Sequence, residues 1–545
     1  MTETRDPVTL ALTGAWPFVV IVAALIAYPA ALFLLRRYRG AVLHGMNEPS
    51  GAAADAPPVA GGMPPDRPLL FERVPHASVA VDALPGAGAW RAAGLQAAAV
   101  AVYAAIMTAA WLLSTRDTEI GPVKVASLFW VYFWPAALAA TLMAATDRAT
   151  RLRVALAYFA VYAVIVAVAL TRSPELTVWQ AALIWLVMNG PPTLLLYAFL
   201  ARRVRAVGPI VVAFALVAAF GAVLVPTILN TSEAGLRAAV GAGSTLGLGG
   251  VGTFIAMLGL GAALFGAGAW LGLRWLGRRY ADKQFSDEML TLDAMLFLFA
   301  VWQPIGLAFE HWSWFASGLV AFAGYRLAAG ALRRTMPGVS SPRRLLLLRV
   351  YALGPRSEPL FDALRIRWLR GGSIAMIAGP DLVTSTVEPD EFLGFLSGQL
   401  GRRFVAGQAD LATRVAAMDR KPDPDGRFRV TEFFCRADTW QPTMQRLVAE
   451  SDAVLMDLRS FSQSNQGCVY ELGRLLDAID LSRVVFVIDR TTDRAFLESE
   501  LGRLWSTLAV DSPNRSAAAP TARIFEVSGP SAAETRALVG HLALR

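Results

Sequence analysis

Charge is scarce in this sequence. Asp, Glu, Lys and Arg make up only 17% of its 545 residues, whereas soluble domains carry about 25%, and this excludes a simple soluble enzyme. Cysteine is nearly missing. Cys435 and Cys468 are the only two, too few for a disulfide framework and without the CxxC spacing of a zinc module. Of four histidines only His541 follows residue 334, which argues against triads or histidine metal pairs there. There is also no GxxxxGK[ST] loop, no GxGxxG after a strand, no HExxH and no GxSxG elbow. ATPase, kinase, metalloenzyme and serine hydrolase readings lose support together.

What the sequence has instead is apolar length. Hydrophobic residues reach 55% and gather, before residue 335, into runs long enough to cross a hydrocarbon core of about 30 Å. Nine spans are expected, near 12–35, 92–114, 126–145, 154–171, 180–200, 209–228, 250–273, 290–309 and 313–332. The first is too long for a signal core, follows Glu3 and Asp6, and precedes Arg36, Arg37 and Arg39, so it is read as a retained anchor. Placing the N-terminus outside puts 18 loop cations on the inner side, Arg36 to Arg334, against five outside: Arg5, Arg116, Lys124, Arg172 and Arg237. Retention of cations on the cytoplasmic side then makes the last segment cytoplasmic. The expected organisation is an anchor over 1–44, a disordered Ala/Pro/Gly-rich cytoplasmic linker over 45–90 (NEPSGAAADAPP, GGMPPDRP), a polytopic membrane domain of about eight spans over 91–334, and a cytoplasmic α/β domain over 335–545. Such a chain is expected as an integral protein of the lipid membrane, in a bacterial inner membrane.

The net charge of +8 follows this division, since residues 335–545 hold 26 basic and 25 acidic residues. The basic excess is a topology signal, and no nucleic-acid partner is expected. Inside the spans Asp293, Gln303, Asn189 and Arg326 are the polar candidates, Asn189 and Gln303 each standing before prolines where a helix can break. Their functional reading is a solute or ion path; the plainer one is kinks and interfacial positions. The Gly-rich stretch 241–272 reads as close helix packing.

After Leu345 short β-branched runs alternate with amphipathic stretches, the pattern of a doubly wound, mainly parallel sheet. Strands are expected at 345–353, 373–378, 427–435, 453–458, 483–489 and 523–528, with helices near 358–370, 389–403, 408–418, 440–450, 468–480, 493–505 and 531–543. Ligands of such folds bind beyond the carboxyl ends of strands. That rule singles out Gly354 and Arg356 after the first strand, Asp381 after the second, Asp457, Arg459, Asn465, Gly467 and Cys468 after the fourth, and Asp489 and Asp493 after the fifth.

The stretch SDAVLMDLRSFSQSNQGCVYELG, 451–473, resembles the third strand, loop and next helix of Toll/interleukin-1 receptor (TIR) domains, with Cys468, Glu471 and Leu472 matching their Trp-Cys-x-x-Glu-Leu element. It is also similar to nucleoside 2-deoxyribosyltransferases, where Gly467, Glu471, Leu472 and Gly473 match a Gly-Thr-x-x-Glu-Leu-Gly pattern. The resemblance implies a flavodoxin-like, TIR-like domain, NAD or another ribose nucleotide as ligand or substrate without any required cofactor, a glutamate facing ribose, and homo-oligomerisation through this domain. Glu471 and Asp457 are the catalytic candidates. From the residues alone, Glu471 is placed in the first turn of a helix, where it either supports an oxocarbenium-like transition state or serves the helix dipole and pairs with Arg459 or Arg474. Asp457 handles a ligand or proton, or else caps the loop 459–466 or pairs with an arginine there. Asp489 and Asp493 read as turn and N-cap residues, and Cys435 as an apolar filler. A membrane-anchored signalling or defence-type effector leads; a non-enzymatic receptor or assembly module, and then a solute transporter with a regulatory domain, are the alternatives.

Overall fold

A computed structural model describes residues 7–49, 64–76, 86–115, 120–145, 148–173, 176–199, 207–230, 232–335, 342–350, 356, 358–379, 387, 389–418, 420–529 and 531–543. The chain divides into two compact units: Met1–Arg36 with Ala89–Met336 and Val387–Leu393, and Arg37–Gly88 with Pro337–Thr386 and Gly394–Arg545.

The first unit is helical. Among the described residues nine helices are long and apolar enough to cross a membrane: Phe18–Asn47, Ala89–Ser114, Pro122–Met143, Arg148–Arg172, Val178–Ala198, Gly208–Asn230, Gly250–Tyr280, Glu288–Ala308 and Trp312–Arg333. Each overlaps one of the nine expected spans. Prolines interrupt the hydrogen-bond ladders of several, and in an apolar medium each carbonyl so released needs a partner. Pro135 leaves the Val131 carbonyl without its N–H four residues on, and the Asn189 Nδ2 donates to it at 3.1 Å. Pro191 does the same to Val187, whose carbonyl accepts from the Trp302 indole at 2.8 Å. Pro304 releases the Ala300 carbonyl, which lies where a Cβ on Gly318 would stand. Glycine is required there.

Several other intramembrane polar groups are linked to one another. Tyr103 Oη donates to Gln303 Oε1 at 2.7 Å, and Gln303 Nε2 donates to Asn189 Oδ1 at 3.1 Å. Gln96 Nε2 donates to Tyr325 Oη at 2.5 Å, Tyr325 Oη donates to Asp293 Oδ1 at 3.0 Å, and Arg326 pairs with the other Asp293 oxygen. The polar candidates are thus interior glue, which neither sequence reading had described. Close packing does hold for part of the Gly-rich stretch, because Gly261 and Gly221 meet backbone to backbone. Gly259, Gly268 and Gly272 face open space.

The second unit is built on one all-parallel sheet of seven strands: β1 (Leu70–Arg73), β2 (Arg343–Arg349), β3 (Gly372–Ile377), β4 (Val430–Phe433), β5 (Ala453–Asp457), β6 (Val484–Ile488) and β7 (Thr521–Glu526), in the order β1-β7-β6-β5-β2-β3-β4. Strands covered on both faces can be apolar at every position, which explains the unbroken Leu345–Leu348. Leu346 and Leu348 enter one core with Met456, Phe486, Leu472 and Leu475. Leu345 and Leu347 enter the other with Leu455, Phe525, Leu364 and Leu538. Counted from β2, the order is 3-2-1-4-5-6, that of dinucleotide-binding sheets; setting edge strand β4 aside leaves the flavodoxin-like 2-1-3-4-5. The five-strand order is thus contained in a larger sheet, with β4 and β1 at its two edges.

The linker expectation for 45–90 needs a correction. Within it the segment PLLFERVP supplies β1, which pairs in parallel with β7 from Leu70↔Thr521 to Arg73↔Ile524. Val74 is buried at 2% exposure, the Trp505 indole donates to the Arg67 carbonyl at 2.8 Å, and the His541 ring reaches the Pro75 carbonyl at 2.9 Å. The reason is local. Average composition across the stretch hides a short apolar run that fits the open edge of β7. The helix Pro7–Asn47 also runs past the expected anchor, and Tyr38 near its end packs edge-on to Phe395. Residues 50–63 and 77–85 lie outside the described residues.

Candidate functional site

In a doubly wound sheet the loops diverge where the strand order reverses, and a crevice opens there beyond the carboxyl ends. Here the reversal falls between β2 and β5. Their last residues, Arg349 and Asp457, are register partners. Above them stands the helix Gln466–Ala478, whose apolar face, Cys468, Val469, Leu472, Leu475 and Leu476, recurs at helical spacing and packs on the sheet.

Glu471 lies on this helix beside that apolar face. It is its sixth residue, in the second turn rather than the first, so the expected helix-dipole role is replaced by burial. Its exposure is 2%, and Oε2 has no hydrogen-bond partner. Burial pushes the carboxyl up to about 8, only partly opposed by the nearby Arg349 charge. The pairings expected for Glu471 do not form. Arg474 faces Asp477 at 3.6 Å, and Arg459 is taken by Asp457.

Asp457, at 4% exposure, holds Arg459 in a two-pronged pair, with Arg459 Nε donating to Oδ1 at 2.8 Å and Nη2 donating to Oδ2 at 2.6 Å. This planar match is strong and directional. It fits the loop-fixing reading of Asp457. Arg459 Nη1 also donates to the Arg356 carbonyl at 3.3 Å, while Arg356 donates to Ser460 Oγ at 3.1 Å and to Asp489 Oδ2 at 2.8 Å. Ser460 sits at φ 61, the left-handed region, so the loop turns sharply after β5.

The other expected residues divide by role. Asn465 precedes the helix, its Oδ1 accepting from the Ser462 N–H at 2.9 Å, and so shapes the loop. Gly467 is exposed, with open space around it. Cys468 is buried, its sulfur 4.0 Å from the Arg349 carbonyl oxygen, and burial first, then the Glu471 and Asp457 charges, push its thiol far up. It is no nucleophile. Asp493 Oδ1 accepts from the Phe496 N–H at 3.0 Å, the N-cap expected of it. Burial pushes the Cys435 thiol up to about 12, and it fills apolar space as expected. Gly354 and Asp381 lie outside the described residues.

Arg349 was not singled out by the sequence reading. Its signal was present: a lone arginine ending an otherwise unbroken leucine strand is where a buried cation at a crevice would stand. Arg349 thus sets a cation near the buried Glu471 carboxyl, while Arg356 and Arg459 are engaged with Asp489 and Asp457 on the loop after β5. Among the described residues no group of three or more His, Cys, Asp or Glu could hold a metal ion. The chain matches no known family model, and no curated protein or solved structure is similar to it.

Proposed function

We propose that this is a membrane-anchored signalling or defence-type effector whose cytoplasmic α/β unit binds a ribose-containing nucleotide such as NAD in the β2–β5 crevice and hydrolyses its N-glycosidic bond. One observation carries the reading: Glu471 is buried at the reversal point of the sheet with one oxygen unmatched. A buried polar atom without a partner costs about 1 to 3 kcal/mol, and a ligand hydroxyl would supply the missing bond. The TIR-like and deoxyribosyltransferase-like pattern around Glu471 adds the ligand class.

In hydrolysis, water oxygen bonds to C1′ as the C1′–N bond breaks; the electron pair passes to the pyridinium nitrogen, nicotinamide leaves neutral, and the water releases a proton. Glu471 holds the ribose hydroxyls and, ionised, stabilises positive charge building at C1′. The nearby Arg349 charge favours the ionised carboxyl.

The test measures NAD turnover and ligand-induced melting shifts for wild type and Glu471→Gln, at high protein concentration. Loss of about 10²-fold in rate is expected, with a wild-type rate that rises as pH passes through about 8, where Glu471 ionises. If neither NAD nor free nucleosides bind or turn over, the site is an internal brace. The second reading then stands, a non-enzymatic assembly module, which the closed Asp457–Arg459 pair favours.

A further inference from the structure

A second recess lies at the opposite, amino-terminal ends of the strands. It has a volume of about 340 Å³ and is lined by residues that include Glu72, Arg343, Asp452, Arg483, Arg523 and His541. The strands that contribute, β2, β5, β6, β7 and β1, are consecutive in the sheet, so at about 4.8 Å per strand it forms a trough roughly 19 Å long. We propose that this trough is an effector site for an extended polyanionic small molecule bearing phosphate groups.

Three arginines support this chemistry, each for a different reason. Arg483 is oriented by neutral carbonyls, Nε donating to Asp452 O at 3.0 Å and Nη2 to Ser451 O. Arg523 likewise donates to the Ser482 carbonyl at 2.9 Å and the His541 carbonyl at 3.2 Å. Carbonyls orient these planar cations, and a guanidinium's fork of N–H groups suits phosphate oxygens; Arg483 also stands near enough to the Asp452 carboxylate to act on it. Arg343 has no side-chain partner among the described residues. The acidic lining is partly committed: Asp452 is held by Arg344 through Nε at 3.2 Å, Nη2 at 3.1 Å and the backbone N–H at 2.9 Å, and Asp480 Oδ1 accepts from the Ser482 N–H at 2.8 Å. Glu72 is the carboxylate left to repel an anion at the β1 end.

The position gives such a ligand something to regulate. Glu72 belongs to the chain between the first and second spans, and Arg343 begins the first strand after the ninth span. Occupancy therefore bears on both routes by which this unit is joined to the spans. It would also hold β1 against β7.

The experiment titrates inorganic tripolyphosphate into the full chain in detergent at physiological salt, by calorimetry. Saturable binding is expected, weakened about tenfold by Arg343→Gln, which removes one charge-assisted contact, and partly restored in Arg343→Lys. Glu72→Gln should tighten binding, because a like charge disappears. Hydrogen exchange at residues 70–73 should slow when the anion is bound. Absence of saturable binding, indifference to Arg343→Gln, or weaker binding in Glu72→Gln each overturns the proposal. Arg343 makes no side-chain bond that the fold would lose, and exposed Glu72 supplies a second variant. The result is independent of the crevice, since Glu471 lies at the other ends of the strands.

Discussion

The two units treat buried polar groups differently. In the helical unit Asn189, Gln303, Tyr103, Asp293 and Arg326 bond to each other or to carbonyls that prolines have released, so these five are consumed by the fold, although the buried Ser317 hydroxyl keeps no partner among the described residues. In the α/β unit a carboxyl is buried as completely, beside Arg349, yet keeps one oxygen unmatched. Matched polar groups specify a structure; an unmatched one marks a position where a ligand can add to it. The polar line through the spans fits an anchoring or coupling role, and the unmatched Glu471 oxygen is the observation on which the proposed ligand site rests.

The sharpest way to break this comparison is to unmatch a matched pair. Asp457→Asn leaves the Arg459 guanidinium, at 8% exposure, without its counter-charge. Breaking a buried pair from one side costs about 3 to 5 kcal/mol, so denaturant midpoints of the α/β unit should fall sharply. A loss within experimental error would show the pair to be relaxed by solvent, and the crevice wetter than described.

Glu471→Gln should act in the opposite direction. Its carboxyl is raised from 4.5 to about 8 in the folded protein, so the folded state binds more protons than the unfolded state across that window. Wild-type stability is then full below about 4.5 and falls as pH rises toward about 8. Glutamine is neutral throughout. The variant should match wild type at pH 4 and exceed it at pH 9 by on the order of 5 kcal/mol. Parallel pH profiles would mean that Glu471 is ionised and paired at neutral pH.

Much of the α/β architecture was readable from periodicity. All six expected strands occur, and the expected helices near 440–450 and 493–505 are observed at Trp440–Glu450 and Arg494–Ser506, because amphipathic spacing is a local property. The nine spans were readable because twenty apolar residues in a row have few other uses. What escaped depended on distant partners. Nothing near Leu70 announces that β7 has a free edge, nothing near Asn189 points to Pro135, and the environment of Glu471 depends on Arg349, more than a hundred residues earlier. The loop after β5 was located correctly, but which of its charges would pair internally could not be read from spacing.

β1 offers a middle-sized test of how self-contained the α/β unit is. A fragment of residues 335–545 leaves the β7 edge open, the Val74 site empty and the Trp505 indole without the Arg67 carbonyl. Burial of one valine and one hydrogen bond together contribute about 2 to 3 kcal/mol. Fusing residues 64–76 to the fragment should raise its melting temperature accordingly, and Val74→Asp should cancel the gain. Equal stability with and without the segment would make β1 a passive passenger.

The smallest expected effect lies in the spans, and its size is itself informative. Asn189→Leu removes the donor to the Val131 carbonyl and the acceptor of the Gln303 amide in one step. In water-soluble cores two orphaned groups would be costly, but within membranes measured couplings of this kind average about 0.6 kcal/mol and reach about 1.7, because helices separated in the membrane also find partners for such groups. A loss of about 1 to 2 kcal/mol in detergent unfolding is therefore expected, with the crevice unaffected and any NAD turnover unchanged. Gln303→Leu added to Asn189→Leu should cost only the Tyr103 bond to Gln303 Oε1, since the bond between the two amides is already lost. If instead Asn189→Leu left stability intact but abolished ion or solute flux in liposomes, the polar line through Tyr103, Gln303 and Asn189 would be a conduction path, and the contrast between this matched line and the unmatched Glu471 oxygen would no longer separate scaffold from site.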